Sequence, residues 1–289
     1  MIIDFHTHIF PPDVIDRREE LLQRDRAFSL LYRDPRARMV TAEGLLGAMD
    51  RAGIEGAVAC GFGWKDSGLR RATNEYLLEA SVRHAGRLYP FTATPVGGGR
   101  GMVEEASLWL DRGMRGIGEV AFYVRGMTER AFGVMDGLAQ LAQSYDVPLL
   151  LHVNEPVGHP YPGKIHVRLE ALYRFVSRHQ ETKIVLAHWG GGLCLYELMP
   201  SVAKVCGMLY YDTAASPFLY RPMIYRIALE IVGPERVLFG SDYPLIAPSR
   251  YFEEMRSAGM PEEAVRRILG ENASRVLSLR AASSWKARP

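Results

Sequence analysis

Eight short apolar runs alternate with longer amphipathic stretches along this 289-residue chain, and that alternation constrains the fold more than any other feature. The runs are Ile2–Phe5, Gly56–Cys60, Leu88–Thr92, Gly116–Val120, Pro148–His152, Lys183–His188, Met208–Asp212 and Arg236–Gly240. Stretches of helical period separate them, among them Thr41–Ala52, Thr73–Ala85, Met102–Arg112, Glu129–Tyr145, Val167–Arg178 and Arg221–Val232. Glycine or proline marks the joins, as at Ala52-Gly53, Ala85-Gly86, Arg112-Gly113, Val147-Pro148 and Val232-Gly233-Pro234. Strands alternating with helices pack as βα units on a parallel sheet, and eight units are enough to close it. The predicted fold is therefore α/β, a single (β/α)8 TIM barrel, for which about 250 residues suffice. An open doubly wound sheet would carry a glycine-rich phosphate loop after its first strand. This chain carries His6-Thr7-His8 there instead.

No linker or low-complexity tract divides the chain, so residues 1–280 are expected to form one barrel domain, with 281–289 as a frayed tail. Residues 11–40 read as an insertion after the first strand, rich in arginine (Arg17, Arg18, Arg24, Arg26, Arg33, Arg36 and Arg38). A long loop at that end of a barrel strand lies over the active-site face. The segment is either a lid or a solvated helical excursion whose arginines pair with Asp and Glu. The glycine-rich Pro95–Gly101 lacks the Lys-Ser/Thr ending of a phosphate loop and reads as a flexible turn.

Charge and composition exclude several classes of partner. A formal net charge of +2 gives no electrostatic footprint for nucleic acid or an anionic membrane. No apolar stretch reaches the roughly 20 residues of a membrane span. The N-terminus runs directly into an acidic, histidine-bearing strand without the basic region of a signal peptide. Cys60, Cys194 and Cys206 are odd in number and lack metal-type spacing, so they read as reduced thiols packed as small hydrophobes in a cytoplasmic protein. A small molecule is the expected partner.

Side chains on a strand alternate between faces, so His6 and His8 project from one face at the end of the first run. Two imidazoles so placed can hold one divalent ion, or they can be a hydrogen-bonded surface pair. Catalytic side chains of a barrel come from the C-terminal ends of its strands. Along that edge the fourth run ends at Glu119, the fifth at His152 and the sixth at His188, while Asp242 follows the eighth. Four of the eight histidines thus fall at strand ends beside two carboxylates.

The other histidines lack that setting. His84 and His179 sit late in helices, where a cation favours the helix dipole. His159 and His166 lie in the loop after the fifth run, near Pro160-Tyr161-Pro162-Gly163, and are candidates for touching substrate. Trp64, Tyr123 and Phe218 follow the second, fourth and seventh runs, where they either line an aromatic pocket or pack as loop residues.

The set His6-Thr7-His8, His152, Ala187-His188-Trp189-Gly190-Gly191 and Gly240-Ser241-Asp242-Tyr243-Pro244 resembles the amidohydrolase superfamily. The resemblance is to its amidohydrolase-related branch, which includes aminocarboxymuconate-semialdehyde decarboxylase and many metal-dependent hydrolases. It extends from His6 to Asn272-Ala273-Ser274-Arg275 and is especially close at residues 233–242. By that resemblance His6, His8, His152 and Asp242 hold one divalent ion, with zinc the expectation, and branch members often form dimers. Such an ion lowers the pKa of bound water to about 7. His188 matches the histidine that deprotonates or orients this water, or it serves as a further ligand. Glu119 stands where some two-metal relatives carry a bridging carboxylate. It either bridges a second ion about 3.5–4 Å from the first or accepts from a ligand histidine, and one ion is favoured. The branch's decarboxylases are generally longer, and their substrate-binding arginines have no assigned match in this chain.

The leading expectation is a metal-dependent hydrolase in which activated water attacks an ester, lactone or amide carbonyl of a small cyclic or aromatic substrate. His188 or Asp242 would carry the proton to the leaving group. The alternative is a non-oxidative decarboxylase of an aromatic or enoic acid, with arginines of the insertion, Lys65 or Arg221 on the carboxylate. A purely structural metal site fits poorly, because such sites fill every position with protein ligands, often cysteine. No cysteine joins this set.

Overall fold

The computed structural model describes residues 1–95 and 101–279. The heart of the predicted glycine-rich turn, 96–100, and the tail at 281–289 lie outside the described residues. Eight parallel strands form one sheet in chain order: β1 (Ile3–His8), β2 (Gly56–Cys60), β3 (Leu88–Thr92), β4 (Gly116–Val120), β5 (Leu149–Leu151), β6 (Ile184–Leu186), β7 (Tyr210–Asp212) and β8 (Val237–Leu238). Backbone bonds from Phe5 to Phe239 (2.7 Å), Asp242 to His6 (2.8 Å) and His8 to Tyr243 (2.7 Å) bring the first and last strands together. The predicted (β/α)8 barrel is what forms.

Helices follow the strands on the outside. Those of the insertion are α1 (Pro12–Asp16), α2 (Arg18–Arg24) and α3 (Arg26–Tyr32). The next five are α4 (Ala42–Ala52), α5 (Ser67–Arg83), α6 (Met102–Asp111), α7 (Glu129–Ser144) and α8 (Leu169–Arg178). Short helices α9 (Leu193–Tyr196), α10 (Pro200–Cys206) and α11 (Ser216–Leu219) lead to α12 (Met223–Val232) and α13 (Pro248–Ser257). Then α14 (Glu262–Arg266) passes through a wider turn into α15 (Asn272–Val276). Sequence places several boundaries correctly because caps encode them. The Thr41 hydroxyl accepts from Gly44 at the start of α4, and Gly53, at φ 69°, closes its end. His84 and His179 are indeed the C-caps of α5 and α8.

Two apolar layers hold the barrel. Ile3, Phe5, Val58, Phe91, Leu150, Val185 and Leu238 come from strands on all sides and fill the interior. Ala273, Val276 and Leu277 join that cluster, so α15 plugs the N-terminal end of the barrel. A second, larger layer packs the outward strand residues against the helices, including Trp109, Leu138, Phe175 and Tyr251. Catalytic chemistry is thereby confined to the opposite, C-terminal end. Register shifts interrupt two ladders there, between Asp4 and Thr7 on β1 and between Ile117 and Val120 on β4. A shift breaks the simple alternation of faces and re-aims a side chain. This lets Phe5 fill the interior while the neighbouring His6 joins the buried polar centre. On β4 the shift depends on Gly118, whose φ of 138° and clearance of 2.5 Å from a built Cβ to the Leu150 carbonyl oxygen admit no other side chain.

The insertion is helical and has a core of its own. Phe10, Val14, Leu21, Phe28, Phe62 and Trp64 form it. Among its arginines, Arg17 and Arg24 pair with Glu20, whereas Arg18 donates to the carbonyls of Tyr32 and Asp34. The three cysteines are buried and free. Among the described residues no helix is long and apolar enough to cross a membrane.

Candidate metal centre

The strand ends converge as the sequence order implied. His6 and His8 face each other with their Nε2 atoms 3.1 Å apart. Asp242 Oδ1 lies 3.1 Å from His8 Nε2 and 3.8 Å from His6 Nε2. Glu119 completes the ring, with Oε1 3.5 Å from His6 Nε2 and Oε2 3.9 Å from His8 Nε2. The side chains of His8 and Asp242 are 18% and 15% exposed, whereas that of His6 is fully buried. The centre therefore opens on the His8–Asp242 side.

Hydrogen bonds fix what each ring offers. His6 Nδ1 donates to Asp212 Oδ2 at 2.7 Å, which fixes the ring and turns its Nε2 toward His8. Asp212 ends β7 and also accepts from the backbone N–H of His188 (2.8 Å) and of Ala214 (3.0 Å). This residue was missed in the sequence reading, although it closes the seventh run in the same way that His152 and His188 close theirs. One layer further in, Asp4 accepts from the Ser241 backbone (2.9 Å) and hydroxyl (2.5 Å), tying β1 to the residue before Asp242. Burial pushes its carboxyl up to about 7, against those hydrogen bonds.

His152 is arranged differently from the other rings. Its Nδ1 meets Glu119 Oε1 at 3.0 Å and its Nε2 meets the Gly163 carbonyl oxygen at 3.1 Å. Both partners are acceptors, an environment that favours the charged form of the ring. Burial disfavours that charged form, but Glu119 outweighs it and raises the His152 pKa. His188 Nδ1 donates to the Ala214 carbonyl (3.0 Å), leaving Nε2 3.8 Å from Glu119.

The electrostatics favour a cation. Burial alone would depress His6, yet Glu119, Asp212 and Asp242 raise it to about 10. Glu119 and Asp242 are held well below the ordinary carboxylate range by the histidines, although burial acts in the opposite direction. Two imidazole nitrogens facing one another beneath two ionised carboxylates form a donor set that suits a divalent ion. Ligating atoms of His6, His8 and Glu119 all lie within 4.8 Å of one another, and so do those of Glu119, His152 and His188.

The expected substrate residues fare unevenly. Tyr123 is at the centre, its hydroxyl 3.4 Å from Glu119 Oε2 and its ring 5.1 Å from that of His152. Trp64 is not: it is fully buried, stacks near Phe28 and Phe62, and donates from Nε1 to Thr73 at 3.0 Å. Phe218 is 54% exposed on α11 beneath Arg250, and His159 is exposed beside Tyr161. On α3, burial and then the charges of Asp242 and Glu119 push the Tyr32 hydroxyl up.

The amidohydrolase profile matches residues 3–279. The chain belongs to the amidohydrolase family. Its fold is similar to that of 5-carboxyvanillate decarboxylase from Novosphingobium aromaticivorans, solved with manganese and 4-hydroxy-3-methoxy-5-nitrobenzoic acid (TM-score 0.73, 14% identity, 96% of each chain covered). It is also similar to 2,6-dihydroxybenzoate decarboxylase from Rhizobium (TM-score 0.68, 17% identity, 97% of this chain and 99% of the other). An uncharacterised TIM-barrel protein from Bordetella bronchiseptica matches with TM-score 0.67 and 20% identity over 96% and 98% of the two chains. No curated protein sequence matches the chain. The amidohydrolase-family enzyme expected from the motifs stands, but the expected reaction does not. Where these neighbours carry a named activity it is decarboxylation, which overturns hydrolysis of an ester, lactone or amide as the leading reading.

Proposed function

We propose that this protein is a divalent-metal-dependent, non-oxidative decarboxylase of a hydroxylated aromatic acid. The observation that carries the reading is the buried His6–His8–Glu119–Asp242 ring, open on one side, in a barrel whose full-length structural neighbours include decarboxylases of such acids. His6, His8, Asp242 and Glu119 would hold the ion, because their ligating atoms converge, whereas both His152 nitrogens are engaged, by Glu119 and by the Gly163 carbonyl. Two imidazoles with two carboxylates accept zinc or manganese. Bound there, such an ion would supply positive charge to an anionic substrate.

The chain's own residues supply the remainder. Asp212 fixes the His6 tautomer and orients the backbone at His188. His188, anchored through Nδ1 to the Ala214 carbonyl, gives a proton from Nε2 to the ring carbon that bears the carboxylate. The electron pair of the broken carbon–carbon bond returns to the ring, carbon dioxide leaves, and His188 regains a proton from solvent. Tyr123, against both Glu119 and His152, forms part of the wall beside the ring.

The Glu119–His152–His188 cluster supports a second reading, in which a second ion sits there and Glu119 bridges the two. It requires His152 to release the Gly163 carbonyl.

The test is carbon dioxide release from 2,6-dihydroxybenzoate and 5-carboxyvanillate by protein loaded with manganese or zinc. Stoichiometric carbon dioxide and the corresponding phenol are expected from at least one acid. Absence of carbon dioxide with both metals across a panel of hydroxybenzoates would sink the proposal.

A further inference from the structure

A cavity of about 930 Å³ opens beside the centre, between the insertion helices α2 and α3 and the loops that follow β4 and β5. Its size falls within the roughly 300–1,000 Å³ of small-molecule sites. Leu31, Tyr123 and Pro162 supply apolar lining. Arg24, Arg26 and Arg33 supply most of the charge. Arg24 is already paired, to Glu20 at 3.0 Å. The lining carboxylate, Asp34, is bound by Arg36 at 2.7 Å. Arg33 donates only to the Ser29 hydroxyl, at 3.0 Å, and neither it nor Arg26 forms an ion pair among the described residues.

Uncompensated guanidinium groups in a concave wall focus the field and attract anions. Their planar fork matches a carboxylate, and the leucine and tyrosine walls suit an aromatic ring. One lining residue also touches the centre. Tyr123 lines it and touches Glu119 at 3.4 Å. A Cβ built on Gly163 would stand 3.2 Å from Leu31 Cδ2, and the Gly163 carbonyl accepts from His152 at 3.1 Å.

We propose that this cavity is an antechamber that binds a carboxylate-bearing aromatic substrate through Arg26 and Arg33 before it passes Tyr123 to the centre. The identity of the ligand as substrate rests on the decarboxylase reading; the charge and shape of the cavity do not.

The experiment is calorimetric titration of metal-stripped protein with isophthalate (benzene-1,3-dicarboxylate) at low ionic strength. Stripped of metal, the centre has no ion to hold a carboxylate, and the His8→Ala comparison below separates binding there from binding in the cavity. Arg26 and Arg33 are exposed, and their replacement leaves the cores intact. The Arg26→Ser/Arg33→Ser variant should bind about tenfold or more weakly, and salt near 0.5 M should erase the difference. His8→Ala should leave the affinity unchanged. No binding by the wild-type protein, equal binding by the double variant, or loss of binding in His8→Ala overturns the antechamber. A protein that binds isophthalate through these arginines and yet releases no carbon dioxide keeps the site and refutes the decarboxylase reading.

Discussion

Asp212 Oδ2 holds His6 Nδ1 at 2.7 Å, and through its other oxygen the same carboxylate holds the backbone N–H of His188 at 2.8 Å. One fully buried side chain at the end of β7 thus orients the ring that opens the metal centre and the strand end that carries the proposed proton donor. Asp212→Asn keeps the shape but offers its amide nitrogen where one of those donors needs an acceptor. Metal affinity and kcat/KM should each fall about 10–100-fold, the usual effect of losing a partner behind a ligand histidine. Metal content by mass spectrometry, with kcat/KM at saturating metal, checks this; unchanged metal retention would show that Asp212 is only a packing residue.

His8 and His152 should behave oppositely when removed. His8 contributes a converging nitrogen, and its substitution by Ala should leave the protein unable to retain an ion through gel filtration. Both His152 nitrogens are engaged, by Glu119 and by the Gly163 carbonyl, so His152→Ala should retain about one ion per chain. Ion counts on the wild type and both variants decide the matter. Two ions in the wild type and one in His152→Ala would favour the bridged centre instead.

Much of this was legible in the sequence, for identifiable reasons. The eight strands are readable because each is a short apolar run stopped by glycine, proline or a polar residue, and the predicted boundaries of β2, β3 and β4 match the structure. His6, His8, Glu119, His152, His188 and Asp242 are readable because a polar residue closing a buried strand needs a partner, and the barrel brings those ends together. Asp212 ends a buried strand too, but after Tyr210-Tyr211 it looks like an ordinary turn residue. Its role depends on His6, 206 positions away in the chain. The places of Trp64, Phe218 and His159 were not legible, because aromatic residues after a strand are equally suited to a pocket or a core. Trp64 is taken by the Phe28 and Phe62 core of the insertion, a packing that no local pattern encodes.

Trp64 itself gives a stability prediction. It is fully buried, and Trp64→Ala should cost about 3–5 kcal/mol as a core cavity. Trp64→Phe, which retains most of the volume, should cost much less and leave KM unchanged. Urea unfolding with parallel kinetics is the check. A stable Trp64→Phe protein with a raised KM would return Trp64 to the substrate pocket.

Asp136 provides a pH test well away from the centre. It accepts from His179 Nε2 at 2.7 Å and from Arg178 Nη2 at 2.9 Å, fastening α8 to α7. Partial burial would raise its pKa, but those hydrogen bonds prevail and hold it below the ordinary 3.8. A carboxyl whose folded pKa is depressed binds fewer protons in the folded than in the unfolded chain. Its contribution is therefore complete above the unfolded value and is lost as the pH falls through the folded one. Asp136→Asn should destabilise the protein by about 1 kcal/mol at pH 7, the scale of a half-exposed charged hydrogen bond. The deficit should shrink steadily as the pH drops below about 4, toward the lowest pH at which the barrel remains folded. Urea midpoints of wild type and variant at pH 7, 5 and 3.5 measure it, and a deficit that stays constant across that range would show that the ionised carboxylate contributes nothing to holding the two helices together.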